Sequence, residues 1–517
     1  MKTSRLLVLA LLSALVAVVA SGCGSSASGG GGDHDPAALV PATAPLYAEA
    51  TVRPTGQVGA DLQAALKKIL RTDDPAAKIQ KAIDDSAKRE GFTYKDDIAP
   101  WLGDRVGVAL TALNGNKPDY VVVIASTDDG KAAAALKKTK GDIVERSYKG
   151  VDYRFDRKDN TAAGVFEHAV VVGTEPSLKA AVDASKGESL ADGNDLRAVR
   201  SKVASDRVGL FYLDFQGLLR TAGQASGSSP EIGALLQSVS AAAPKTIGAA
   251  FQAQPDVLRI DGVSLGTPKS ASSGASGADV VAGLPGDSWL ALGIGKSGET
   301  LDRTLDTIGN AGGITGVGVN ALLGQFQQQT GLDLRKDVFS WMGDAGVFVG
   351  GTSAADLGGA LVVKTSDPGK TKRVIAVLRR LAGRDSAAKI SPLDVQGVDD
   401  GFSLRSGGSP RIDVGLAGDK FIVSVGSLAA FKKAVSPGQA LGSAPAFTAA
   451  AAKLGGGLRP SFYLDLQRVV SLIEGFAGGS ADFAKAKPYL DTFGAVVAGA
   501  KDEGDGVTRA RFVVTLR

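Results

Sequence analysis

Histidine, cysteine and methionine are almost absent from the sequence, which has two, one and two of them in 517 residues. Protein zinc sites draw most of their ligands from cysteine and histidine, and Ser-His-Asp triads need a histidine. An internal disulfide is excluded because a single cysteine has no partner. The sequence therefore predicts no metal site, no cofactor and no catalytic residues of the histidine-dependent kinds.

The sequence also has no large excess of positive or negative charge. Lys and Arg number 58 against 54 Asp and Glu, which gives a net charge of +4. This balance provides no basic field of the kind that binds nucleic acid. Hydrophobic residues make up 44% and charged residues 22% of the chain, as is typical of globular proteins. We therefore expect a folded protein with no nucleic-acid partner.

The most specific pattern is at the N-terminus, where two basic residues precede an apolar run at residues 6–20. Charge, apolar run and small residues in this order form an export signal, and the run is too short to span a bilayer comfortably. The tripeptide before Cys23, ASG, resembles the lipobox of bacterial lipoproteins, although Ala20 stands where leucine is usual. The resemblance implies removal of residues 1–22 and lipid attachment at Cys23. The alternative is an ordinary secretory signal followed by a stray cysteine.

Residues 23–35 are rich in glycine and serine and form a predicted tether, which would let the folded part stand roughly 20 Å from the membrane. Without the signal peptide the chain is close to neutral, so attachment would depend on the lipid and not on a basic patch. We expect an extracytoplasmic protein whose membrane partner is reached through lipidated Cys23.

Two segments recur in the same order in the two halves of the chain. GFTYKDDIAPWLGD at residues 91–104 aligns without a gap with GLDLRKDVFSWMGD at residues 331–344, and FYLDFQ at 211–216 matches FYLDLQ at 462–467. We infer two homologous units, residues 36–266 and 278–517, joined by a linker at 267–277. The repeated structural positions are Trp101, Gly103, Asp104 and Asp214 in the first unit and Trp341, Gly343, Asp344 and Asp465 in the second.

Each unit mixes strand and helix patterns. Residues 61–70 and 75–90 have apolar residues at spacings of three and four, which indicate helices, whereas residues 106–113 and 120–125 are β-rich runs separated by Asn-Gly-Asn. Adjacent hairpins favour a mostly antiparallel sheet with helices over one face. The predicted fold class is α+β, in two tandem homologous units with amphipathic helices.

The segment LVPATAPLYAEATVRP at residues 39–54, together with the two repeated segments, resembles the bacterial family of domain of unknown function 3352 (DUF3352). The resemblance covers nearly all of the chain after the signal peptide. It implies an exported or lipid-anchored protein of this architecture. It implies no activity and supplies no catalytic residues.

The repeated residues are interpreted as structural. Asp214 and Asp465 each end an apolar strand before a helical pattern, where aspartate caps helices. Trp101 and Trp341 are expected to be core anchors. Residues 361–371 have the order of a phosphate-binding loop, but Lys364 stands where that motif requires glycine.

Three functional classes remain. The first is a non-enzymatic envelope protein that serves as a scaffold or binding surface, because a duplicated domain with few reactive residues suits recognition. The second is a carrier of lipid or another apolar ligand, because a curled antiparallel sheet under helices can enclose a cavity. The third is an enzyme that works without histidine. The first class is the preferred prediction.

Overall fold

The computed structural model describes residues 34–89, 91–114, 117–225, 240, 243–268, 277–310, 318–353, 356–477 and 480–517. The predicted signal peptide, Cys23 and most of the tether lie outside the described residues, as do residues 269–276 of the predicted linker. The chain divides into two compact units. Unit 1 ends at Gly266, and unit 2 consists of Thr267–Arg517 together with Ser240 and Ala243 among the described residues.

Unit 1 is built on antiparallel strands with helices between them. Its strands are β1 (Leu46–Thr51), β2 (Leu102–Asn114), β3 (Lys117–Ser126), β4 (Ile143–Tyr148), β5 (Val151–Asp156), β6 (Thr161–Phe166), β7 (Ala169–Thr174), β8 (Gly209–Asp214), β9 (Thr246–Gln254) and β10 (Val257–Leu265). Its helices are α1 (Gly56–Leu70), α2 (Pro75–Arg89), α3 (Asp129–Lys137), α4 (Glu175–Ala184), α5 (Asn194–Lys202) and α6 (Phe215–Ala225).

The strands of unit 1 pair in the order β4-β5-β6-β7-β3-β2-β1-β8-β9-β10, and every pairing is antiparallel. Strand β1 is therefore central, although it comes first in the chain. Its Leu46 lies opposite Leu110 of β2 on one side and Leu213 of β8 on the other.

Unit 2 has the same kinds of element. Its strands are β11 (Leu290–Ile294), β12 (Met342–Gly350), β13 (Gly358–Thr365), β14 (Ala388–Pro392), β15 (Asp400–Ser406), β16 (Ile412–Ala417), β17 (Lys420–Gly426), β18 (Phe462–Asp465), β19 (Phe493–Gly504) and β20 (Val507–Leu516). Its helices are α7 (Gly277–Gly283), α8 (Ser297–Asn310), α9 (Val319–Thr330), α10 (Pro368–Ala382), α11 (Leu428–Val435), α12 (Pro445–Ala452), α13 (Leu466–Ala477) and α14 (Ala481–Leu490).

The strands of unit 2 pair in the order β14-β15-β16-β17-β13-β12-β11-β18-β19-β20, again antiparallel throughout. This order repeats that of unit 1 strand for strand. The predicted α+β class with a mostly antiparallel sheet is confirmed. The homology of the two units stays a prediction, which the shared strand order supports.

Local sequence explains how the helices begin and which face they bury. Helix α10 starts after Asp367, whose Oδ1 accepts a hydrogen bond from the Lys370 amide at 2.9 Å, and Pro368 suits the first helical turn. The same helix buries Thr371, Val374 and Ile375. This spacing of three and four places one side of the helix against the core.

A tryptophan anchors the main hydrophobic cluster of each unit. Trp101 packs with apolar residues of β2, β3, β7 and helices α2 and α3 in unit 1. Trp341 packs with Val374 and Ile375 of α10 and with residues of β13, β15, β16 and β17 in unit 2.

Among the described residues, no helix is long and apolar enough to cross a bilayer.

Two positions differ from the sequence expectations. Asp35, predicted to end the tether, caps a short 3-10 helix (Pro36–Leu39) and belongs to the folded unit. Gly277, predicted to end the linker, begins helix α7.

Candidate functional site

An apolar pocket with a volume of about 800 Å³ lies within unit 2. Strands β12, β13 and β17 supply most of its lining, and Leu472 of helix α13 and Trp289 complete it. Ser427 is the one hydroxyl-bearing side chain in the lining that the structure describes. The volume lies in the range of small-molecule sites, which are concave and mostly apolar.

The floor of the pocket follows directly from the strand register. Paired residues of neighbouring antiparallel strands point to the same side of a sheet, so each set of partners forms a row across the strands. Two apolar rows cross the pocket side by side. They are Val425-Gly359-Val349-Leu290 and Val423-Leu361-Val347-Leu292, read from β17 through β13 and β12 to β11.

The same apolar face continues beyond the pocket. Leu292 pairs with Phe462 of β18, which pairs with Ala498 of β19, and Ala498 pairs with Phe512 of β20. The side chains at both ends of this face are partly open to solvent, since Val425 is 46% and Phe512 38% exposed. Extended exposed apolar surface of this kind usually marks a binding site.

The floor differs between the two units at one position. In unit 2, Gly359 lies opposite Val349, and in unit 1 Tyr120 lies opposite Leu110. Val349 and Leu110 in turn face Leu290 and Leu46 of the central strands. Unit 1 therefore carries a tyrosine ring where unit 2 carries no side chain. A Cβ atom at Gly359 would lie 2.5 Å from the carbonyl oxygen of Phe348, so the backbone of β12 closely approaches this glycine.

Polar groups neighbour two of the lining residues, Leu472 and Trp289. Arg468 precedes the lining residue Leu472 by four positions, so both lie on one face of the helix. Its Nη1 donates to the carbonyl oxygen of Asp287 at 3.2 Å, two residues before Trp289. The buried indole Nε1 of Trp289 has no hydrogen-bond partner among the described residues.

Unit 1 contains a different feature, which we call the buried charge cluster. It consists of Asp35, Tyr47, Glu49, Arg105, Arg200 and Arg207. The Glu49 carboxylate accepts from the Tyr47 hydroxyl at 2.8 Å and from Arg200 at 2.7 Å, and pairs with Arg105 at 2.9 Å. Glu49 is only 8% exposed, so its charge depends on these partners.

The pKa values in the cluster follow from burial and neighbouring charge. Burial alone would raise the pKa of Asp35, but the hydrogen bond and charge of Arg200 hold that pKa below its ordinary value. Burial raises the pKa of the Tyr47 phenol well above its usual value, and the Glu49 carboxylate adds to the effect. Asp35 is therefore ionised and Tyr47 neutral at physiological pH.

Unit 2 lacks the key members of this cluster at the corresponding positions. Leu290 pairs with Leu464 as Leu46 pairs with Leu213, which places Ala291 and Gly293 where unit 1 has Tyr47 and Glu49. A Cβ atom at Gly293 would lie 1.9 Å from the carbonyl oxygen of Gly277, so helix α7 packs there against bare backbone. The same strand framework thus carries polar, charged side chains at these positions in unit 1 and only alanine and glycine in unit 2.

The repeated tryptophans occupy matching places. Trp101 and Trp341 are each 1% exposed. Their indole Nε1 groups donate to the carbonyl oxygens of Asp97 at 2.5 Å and Asp337 at 2.8 Å, each four residues earlier. The ring of Trp341 also meets Phe421 edge to face at 5.6 Å. These contacts place each side chain in the core of its own unit, and Trp341 is not among the described lining residues of the pocket.

The repeated aspartates at the strand ends cap helices. Asp214 Oδ1 accepts from the Gly217 amide at 2.8 Å at the start of α6, and Asp465 Oδ1 accepts from the amides of Gln467 and Arg468 at 3.1 and 3.2 Å at the start of α13. These are the bonds that a capping aspartate makes.

The remaining repeated residues begin the strands that follow the tryptophans. Gly103 and Gly343 are the second residues of β2 and β12. Asp104 is exposed, whereas Asp344 accepts a hydrogen bond from the Lys296 amide at 2.9 Å just before α8. None of these four residues lines the pocket as the structure describes it.

A family model described as "Protein of unknown function (DUF3352)" matches residues 3–516. The chain belongs to the DUF3352 family. This confirms the resemblance found in the sequence, and no curated protein matches the chain.

Solved structures of TP0453 are similar to this DUF3352 chain at low identity. The structure of crystal form IV is 12% identical in sequence, and the match covers 44% of this chain and 79% of the TP0453 chain, with a TM-score of 0.26. Crystal form III is 12% identical, covers 46% and 82%, and has a TM-score of 0.25. TM-scores this low carry no argument about fold or function.

The two histidines of this DUF3352 chain lie side by side. The rings of His34 and His168 stack with centroids 4.8 Å apart, and His168 Nδ1 lies 3.3 Å from Asp129 Oδ2. No local sequence pattern indicates this contact, because the partners are far apart along the chain. Within the described residues, no group of three His, Cys, Asp or Glu is placed to hold a metal ion.

Proposed function

We propose that this DUF3352 protein is an exported, lipid-anchored envelope protein that binds an apolar ligand in the pocket of unit 2 and performs no chemistry on it. The observation that carries the proposal is the pocket, whose floor consists of two rows of apolar partners on neighbouring strands. Burial of an apolar ligand there would release about 25 cal/mol per Å² of apolar surface. This favours the ligand-carrier class over a bare scaffold.

A binding role without catalysis is supported by the chemistry of the lining. General acid–base catalysis needs a titratable side chain within hydrogen-bond reach of the substrate. The described lining contains apolar side chains, glycines and Ser427, and no carboxylate, lysine or histidine. Such a surface can hold a ligand but offers it no proton donor or acceptor with a pKa near neutrality.

Replacing Val425 with aspartate is expected to abolish ligand retention. Val425 ends one row of the floor and is 46% exposed, so the variant should fold while placing a charge in an apolar site. The measurement is native mass spectrometry of the full-length protein purified from its own membrane. Wild type should carry a bound apolar molecule, and Val425→Asp should not.

The matched control for this experiment is Leu322→Asp. Leu322 lies on helix α9, is 39% exposed and is outside the described lining, so this variant should retain the ligand. A wild-type protein that carries no apolar molecule would overturn the proposed function. So would a Val425→Asp protein that carries as much as Leu322→Asp.

The anchoring part of the proposal rests on residues 1–35 of the sequence. The lipobox-like tripeptide before Cys23 and the single cysteine support lipid attachment there. Replacing Cys23 with serine is expected to release the protein from the membrane fraction or to leave its signal peptide uncut. Fractionation and intact-mass analysis would measure this, and a cleaved Cys23→Ser protein retained at the membrane would contradict the proposal.

A further inference from the structure

A cation lies one helical turn from a residue of the pocket. Arg468 shares a face of α13 with the lining residue Leu472, and its side chain is 44% exposed. Its Nη1 bonds the Asp287 carbonyl oxygen, and its Nε lies 3.6 Å from Asp465 Oδ2. Within the described residues, Nη2 of Arg468 makes no hydrogen bond. A planar guanidinium with open donors suits a carboxylate or phosphate.

The two carboxylates near Arg468 make their closer bonds to other donors, and the contact of Arg468 with Asp465 Oδ2 is long at 3.6 Å. Asp465 turns its Oδ1 to the backbone amides of Gln467 and Arg468 at the start of α13. The Asp287 carboxylate pairs with Lys433 of α11, and only its carbonyl oxygen meets Arg468. Neither acid holds the guanidinium in the two-bond arrangement that an arginine makes with a dedicated partner.

The cation and the pocket also occur in the same unit. Arg468 directly follows the FYLDLQ segment of unit 2, and the residue that follows FYLDFQ in unit 1 is Gly217. Unit 1 also has Tyr120 where unit 2 has Gly359 in the pocket floor. The unit that has no glycine at this position of the floor has glycine in place of Arg468.

We propose that the ligand is an anionic single-chain amphiphile, whose apolar chain lies in the pocket and whose carboxylate or phosphate head pairs with Arg468. This inference rests on the proposed function, since it names the ligand class of the same pocket. The head group would sit at the open edge, where the charge keeps part of its hydration, while the chain covers the floor of β12, β13 and β17.

The test compares dodecanoic acid with 1-dodecanol, which share one apolar chain and differ in the charge of the head. Full-length protein in one detergent is incubated with an equimolar mixture of the two at pH 8, and native mass spectrometry counts each bound species. Wild type should bind both. The bound ratio of acid to alcohol should fall about tenfold in Arg468→Gln, the effect of one charge-assisted hydrogen bond.

Arg459→Gln is the matched control. The side chain of Arg459 is 59% exposed and pairs with Asp279. Arg459 lies before β18, whereas Arg468 lies after β18 on α13. Arg459→Gln should therefore keep the wild-type ratio of bound acid to bound alcohol. Melting temperatures of both variants establish that they are folded. An unchanged ratio in Arg468→Gln would overturn the anionic head group and leave the apolar pocket standing. Failure of wild type to bind either compound would instead overturn the proposed function, and this inference with it.

Discussion

Replacing Trp101 with alanine is expected to lower the free energy of unfolding of unit 1 by about 3 to 5 kcal/mol, the usual cost of truncating a buried large aromatic residue. Trp101 is 1% exposed, and its indole donates to the Asp97 carbonyl oxygen. Truncation would open a cavity between α2, α3 and the sheet and leave that carbonyl without its donor. Urea unfolding followed by circular dichroism would measure the loss.

The third tryptophan is a matched control for this prediction. Trp289 is half-buried, and its indole Nε1 has no hydrogen-bond partner among the described residues, so Trp289→Ala should cost less. Trp341→Ala should resemble Trp101→Ala, because Trp341 has the same burial and the same bond to the fourth residue before it. A Trp101→Ala protein that unfolds at the wild-type urea concentration would show that the side chain is dispensable for folding.

Limited proteolysis adds a second readout. Local unfolding exposes cleavage sites in the unit that has lost its anchor. Trp101→Ala should therefore favour cuts in unit 1 and Trp341→Ala cuts in unit 2. Identical cleavage patterns in the two variants would contradict the assignment of one anchor to each unit.

Much of the fold could be predicted from local sequence, because strands and helices leave periodic patterns. The helix predicted at residues 75–90 begins at Pro75 in the structure, and the β-rich runs at 106–113 and 120–125 lie within β2 and β3. The α+β class followed from adjacent hairpins. The π-helical turn at Tyr94–Ile98 left no such pattern, since it is a single turn set by packing around Trp101.

The pocket could not be predicted, because it depends on register between strands that are distant in sequence. Val425 and Val349 both flank Gly359, yet nothing local to any of them indicates the pairing. The alternative of an apolar-ligand carrier depended on the fold class and on helices rich in small residues, such as residues 446–452, and not on the strands that line the pocket. A comparison of Tyr120 with Gly359 would have pointed to the site, but only once the register of both units was known.

The buried charge cluster was missed for a similar reason. Asp35 and Arg200 are separated by 165 positions, and Glu49 and Arg200 by 151. Taken alone, each of these residues is typical of an ordinary surface charge. Asp35 also lies within the predicted tether, where no buried contact is expected. Strand β1 pairs with β8, and helix α5 precedes β8 in the chain. This arrangement places Arg200 of α5 beside Glu49 of β1.

Comparison of the units shows what the cluster contributes. Unit 2 keeps the strand order with Ala291 and Gly293 at the positions of Tyr47 and Glu49, so the framework does not require a charge there. Replacing a whole buried ion network by apolar residues is often neutral, whereas removing one member is costly. The cluster fixes Asp35, at the start of the folded chain, against α5.

Glu49→Ala is therefore expected to lower the free energy of unfolding by about 3 to 5 kcal/mol, as breaking a buried ion pair usually does. The loss of this carboxylate would remove the acid that pairs with Arg105, Arg200 and Arg207. It would also remove the acceptor of the Tyr47 hydroxyl, which is fully buried. Urea unfolding would measure the change.

Asp85→Ala is the control, because its pair with Lys81 joins side chains that are 56% and 77% exposed. An exposed pair of this kind contributes about 0.3 to 0.5 kcal/mol. If Glu49→Ala unfolds with the same small change, water or Asp35 must already compensate the three arginines, and the cluster would not hold the start of the folded chain. A large loss would instead mean that unit 1 depends on one carboxylate that the framework of unit 2 does without.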